Sequence, residues 1–70
     1  MKIEYILSFD IPRELNTARR KINRDLNKIN AKMIHHSLWK SENLKELISI
    51  ANEIKRNGGT ARILEEKFIF

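Results

Sequence analysis

Residues 2–10, Lys2-Ile3-Glu4-Tyr5-Ile6-Leu7-Ser8-Phe9-Asp10, alternate in polarity. Ile3, Tyr5, Leu7 and Phe9 fall on one side at period two, with Glu4, Ile6, Ser8 and Asp10 on the other. This pattern predicts a strand with one strongly apolar face. Such a face needs a cover, and the next stretch supplies one. Over residues 13–29, Leu15, Ala18, Ile22, Leu26 and Ile29 recur at helical spacing and form a single stripe. Pro12 stands where that helix would begin, because its fixed φ suits a first turn and its missing N–H would have no helical partner there.

Working outward, Asn30 is a plausible stop. Residues 32–39 alternate Ile34, His36 and Leu38 against Met33, His35, Ser37 and Trp39, which predicts a second strand. Asn43 with Glu46 three residues later resembles a capping box. Leu44, Leu47, Ile48, Ala51 and Ile54 then form a second helical stripe to about Lys55. Gly58 and Gly59 end it, since glycine enters the left-handed cap conformation without penalty. Thr60 to Phe70 reads as a further strand at Thr60–Leu64, then Glu65-Glu66-Lys67, with Phe68-Ile69-Phe70 free to form a short extra strand. Two helices that each own one apolar stripe need a sheet between them and solvent. The expectation is therefore α+β: a ferredoxin-like two-layer sandwich over residues 1–70, both helices on one face of a small antiparallel sheet, order βα(β)βαβ. The other sheet face would carry Ile6 and, on one choice of register, Met33 and Trp39. That is apolar enough to suggest self-association.

The chain has 70 residues, no cysteine, and 14 Lys plus Arg against 9 Asp plus Glu. It is too short for a large enzyme with a deep cleft, and its thin core would gain stability from a second subunit. Disulfides, thiolate metal sites and thiol nucleophiles are excluded. The early charges and the lack of a long apolar run suggest a soluble, cytoplasmic protein with no membrane partner. The formal charge of +5 lies wholly in residues 1–40, and the densest run is Arg13, Arg19, Arg20, Lys21, Arg24 and Lys28. On an ideal helix Arg13, Arg20, Arg24 and Lys28 fall opposite the apolar stripe, with Lys21 beside them and Arg19 nearer the apolar edge. Such a row is either a solvated face or a phosphate-binding surface.

Asp10 ends the first strand at the strand-to-helix corner. There it either caps the turn or holds a divalent ion, the latter needing substrate phosphates or a second copy of the chain to complete the ligand set. His35 and His36, being adjacent, are expected to point to opposite faces of a strand and so not to share a metal. The serines lack a nucleophile elbow, Gly58-Gly59 is no phosphate loop, and Trp39 alone is no stacking platform.

Three stretches together resemble the small CRISPR spacer-acquisition subunit, the Cas-two family, of which this would be a short divergent member. They are Tyr5-Ile6-Leu7-Ser8-Phe9-Asp10-Ile11-Pro12, followed by an Arg- and Lys-rich helix; His35-His36-Ser37-Leu38-Trp39; and Asn43 to Ile54 with the aliphatic strand at Ala61 to Leu64. The stretch from Trp39 to Glu42 leaves little room for the family's extra hairpin strand, and the partner-docking tail is curtailed. The resemblance implies a homodimer with back-to-back sheets that serves antiviral defence as an adaptor. Duplex DNA would lie across it, and a Cas-one integrase would assemble on it. It also implies an alternative, a metal-dependent endonuclease on RNA or DNA in which Asp10, as catalytic and metal-binding residue, holds Mg2+ or Mn2+. A third reading, from the residues alone, is a pure protein-interaction module. The nucleic-acid contacts expected in the adaptor are Arg13, Arg19, Arg20, Lys21, Arg24 and Lys28.

Overall fold

The computed structural model describes residues 3–66. Its elements are β1 (Glu4–Asp10), α1 (Asn16–Lys28), β2 (Lys32–His35), β3 (Leu38–Ser41), α2 (Leu44–Arg56) and β4 (Thr60–Glu66). The sheet order is β2-β3-β1-β4, and every neighbouring pair is antiparallel. Both helices pack on one face, which makes the chain a ferredoxin-like α+β sandwich.

The apolar faces close as their periodicities require. Leu7 and Phe9 of β1, Trp39 of β3, Ile22 and Leu26 of α1, and Leu47, Ile50, Ala51 and Ile54 of α2 form one buried cluster with Ile11. In α2 the buried position is Ile50, while Ile48 stays 46% exposed. Ile48 lies about 100° round the helix from Leu47, outside the arc that faces the sheet.

The two helices begin differently and end alike. Asn43 caps α2, its Oδ1 accepting from the Glu46 backbone N–H at 3.2 Å. The reciprocal half of the box is replaced by Ser41, whose Oγ accepts from the Asn43 N–H at 3.0 Å. By contrast α1 starts at Asn16, three residues later than the apolar stripe suggests. Pro12 accepts from the Leu15 N–H at 3.0 Å, so residues 12–15 form a turn ahead of the helix, and no side chain caps it. At their C-termini both helices close with the same pair of bonds. In α1, Asn30 N–H meets Asn27 O and Ala31 N–H meets Leu26 O; in α2, Gly58 N–H meets Lys55 O and Gly59 N–H meets Ile54 O. Asn30 (φ 58°) and Gly58 (φ 88°) occupy the left-handed position. Gly59 is required for a separate reason. A Cβ there would lie 2.6 Å from the Asp10 carbonyl oxygen, where the end of α2 crosses the end of β1.

Three further expectations change. The single strand over 32–39 is two strands, folded back at His36-Ser37 with a bulge between Met33 and His35. The extra hairpin strand thus exists, made from the first half of that segment rather than squeezed into 39–42. Second, Trp39 lies opposite Leu7 and Met33, and directly opposed residues share a sheet face. It is therefore buried under the helices at 4% exposure, not on the open face. Met33 shares that side but sits on the edge strand, 54% exposed. Third, β4 runs on through Glu65 and Glu66, which pair with Tyr5 and Glu4. An edge strand tolerates such charges. The segment Phe68-Ile69-Phe70 lies outside the described residues.

Candidate nucleic-acid interface

The six cations of residues 13–28 divide into two groups. Arg20, Arg24 and Lys28 stand at four-residue steps on the exposed side of α1, directly opposite Ile22 and Leu26. Four residues of helix rise about 6 Å, so the three span about 12 Å. Among the described residues no ion pair holds any of them.

The other three are placed differently. Arg13 is exposed, but it belongs to the turn ahead of α1 and not to the helical row. Arg19 turns inward, its Nη2 donating to the Ile11 carbonyl oxygen at 3.0 Å in a partly buried setting, so that it ties α1 to the end of β1. Lys21 sits in the seam between the helices. Its Nζ donates to Glu53 Oε1 of α2 at 3.1 Å and to Asp25 Oδ2 at 3.4 Å. The hydrogen bond to Glu53, reinforced by the Asp25 charge, raises the lysine above its ordinary value of 10.5. Arg56 adds a looser contact to Glu53 at 3.8 Å. Asp25, the only carboxylate on α1, is thereby drawn into the seam, which leaves the outer side of the helix without an acidic side chain.

The open face of the sheet is a second surface. Ile6 stands beside Lys40 and Leu64, and Ser8 beside Leu38 and Arg62, all on the side away from the helices. Leu64 is 50% exposed, while Ile6 and Leu38 are half-buried. At one end Lys40 pairs with Glu4 at 3.7 Å. At the other, Ser8, Asp10, Thr60 and Arg62 line a shallow depression. Aromatic residues are missing from this face among the described residues: Tyr5, Phe9 and Trp39 all lie on the helix side. A platform for stacking unpaired bases needs aromatic rings on the open sheet. Among the described residues this face therefore offers no such platform, and the exposed positive charge is concentrated on α1.

Asp10 is exposed on the open face, opposite Thr60. No group of three or more His, Cys, Asp or Glu side chains converges anywhere among the described residues. Within one subunit the donor set does not fit a resident Mg2+ or Mn2+, which asks for several oxygens. Arg62 escaped the sequence reading, although the alternation Thr60, Arg62, Leu64 against Ala61, Ile63 marks it as outward-facing. Glu53, the partner of Lys21, carried no local signal.

No protein-family model matches the chain, and no curated protein matches it either. Among the described residues, no helix is long and apolar enough to cross a membrane.

Proposed function

We propose that this protein is a non-catalytic, Cas-two-like adaptor: a homodimer that grips duplex nucleic acid, DNA in preference to RNA, through the outer side of α1. One observation carries the reading. Arg20, Arg24 and Lys28 form an exposed row with no ion-pair partner among the described residues, while the neighbouring cations Arg19 and Lys21 hold the fold. Unpaired cations over about 12 Å meet roughly seven duplex charges, spaced at about 1.7 Å along the axis. The open sheet supports the dimer, because Ile6, Leu38 and Leu64 give two copies an apolar surface to share. The order βαββαβ and the sequence resemblance support the role in spacer acquisition, with a Cas-one integrase as partner.

The salt dependence of binding tests this. Each phosphate neutralised contributes about −0.9 to the slope of log affinity against log salt, so the three cations of one copy contribute about −2.7. Duplex binding measured at several salt concentrations should show at least that slope, and the triple substitution R20A/R24A/K28A should remove it. A slope unchanged by the triple substitution would exclude this surface.

The endonuclease reading has one favourable observation: Asp10 is exposed on the same open face that two copies would share, so a dimer could bring two carboxylates together. It requires Mg2+- or Mn2+-dependent cleavage by the purified chain that Asp10→Asn abolishes. Cleavage that survives that substitution would defeat it.

A further inference from the structure

We infer that His35 and His36, at the β2–β3 turn, form a two-imidazole site for a borderline divalent cation of the Zn2+ class. On a regular strand adjacent side chains point to opposite faces. Here the strand is not regular: a bulge follows Met33, the chain turns at His36-Ser37, and the two rings lie edge to face, with centroids 5.4 Å apart and planes inclined by 72°. Zn–N bonds are about 2.0–2.1 Å, so two imidazoles on one tetrahedral ion hold their ring centres about 5 Å apart. The observed spacing is within a few tenths of an ångström of that value before any ion is present.

The chemistry of the pair agrees with the spacing. Both side chains are exposed, and among the described residues no hydrogen bond or ion pair occupies their ring nitrogens. In its neutral form an imidazole offers one acceptor nitrogen, and no hydrogen-bond partner among the described residues competes for it. Imidazole suits Zn2+, Cu2+ and Ni2+, whereas Mg2+ prefers oxygen. With two protein ligands, water fills the remaining positions, and the site is one that loads at the surface without altering the fold. It is independent of α1 and of Asp10, which lies at the end of β1 opposite Thr60.

The test is calorimetric titration of the full chain with ZnCl2 and, separately, with MgCl2 in a buffer that does not chelate metal. His35→Ala and His36→Ala are titrated in parallel, and circular dichroism checks that both variants remain folded. The expected result is one Zn2+ per chain, no comparable Mg2+ heat, and Zn2+ affinity weakened about tenfold or more in both single variants. Following the ring proton resonances of the two histidines in the unaltered chain gives a second readout, in which both should shift with the same midpoint. Absence of Zn2+ binding in the millimolar range, or an affinity that falls in only one variant or in neither, would overturn the shared site.

Discussion

The two helices have the same length, thirteen residues, and the same C-terminal closure, yet they are built for different work. In α2, Asn43 caps the N-terminus, and Glu46 in the first turn and Lys55 and Arg56 in the last agree with the helix dipole, with Lys45 and Glu53 against it. In α1 no side chain caps the start, no acid stands in the first turn, and five cations face a single carboxylate. Local energetics would not choose α1's composition. The helix is held by its apolar stripe and by tertiary contacts from Arg19 and Lys21, and this frees its outer side to carry charge that does nothing for the fold.

The strongest way to break that comparison is in the core. Leu26 of α1 and Leu47 of α2 are both fully buried. Replacing either by Ala should cost about 2–5 kcal/mol in denaturant unfolding. If α1 docked only loosely, Leu26→Ala would cost far less than Leu47→Ala. Next in size is nucleic-acid affinity: R20A/R24A/K28A should flatten the salt slope by about 2.7 per contacting copy, whereas K45A/K55A/R56A on α2 should leave it nearly unchanged. Equal slopes for the two triples would mean that the whole positive field, and not α1, does the binding.

Smaller effects sharpen the contrast at the helix starts. Asn43→Ala should lower stability by about 1 kcal/mol. Thr17→Glu in the first turn of α1 should instead raise it by about 0.3–1 kcal/mol while weakening duplex binding, because the dipole favours the acid that the phosphate surface rejects. A variant that gained stability and kept full affinity would contradict the assignment of the outer side of α1. Smallest is the seam. Lys21 is raised in the folded state, so its contribution is fully present below the ordinary value of 10.5 and is lost only as pH climbs through the raised one. Glu53→Gln should therefore change unfolding slightly at neutral pH and less well above that range, where only the looser Arg56 contact remains, as a pH series of thermal melts would show.

Much of this architecture can be read from residue spacing alone. The period-two face of β1, the Asn43 cap and the Gly58-Gly59 stop are local signals that stand where their residues place them, and the two helical stripes do so apart from the later start of α1 and the burial of Ile50 in place of Ile48. The hairpin at His36-Ser37 left no such mark, because neither residue is of the glycine, asparagine or aspartate type that announces a tight turn. The row Arg20, Arg24, Lys28 was legible from helical geometry. The removal of Arg13, Arg19 and Lys21 from that row was not, since it depends on where α1 begins, on the Ile11 carbonyl and on Glu53, which is 32 residues from Lys21.

The amino-acid order by itself determined the kinds of element, their succession apart from the hairpin at His36-Ser37, and the excess of positive charge in the first forty residues, because propensity, periodicity and net charge are properties of near neighbours. Only the tertiary structure decided which cations remain unpaired, which face Trp39 takes and that two histidines meet at a turn. Those outcomes depend on pairings across the sheet and between the helices, where residues distant in the chain compete for the same partner.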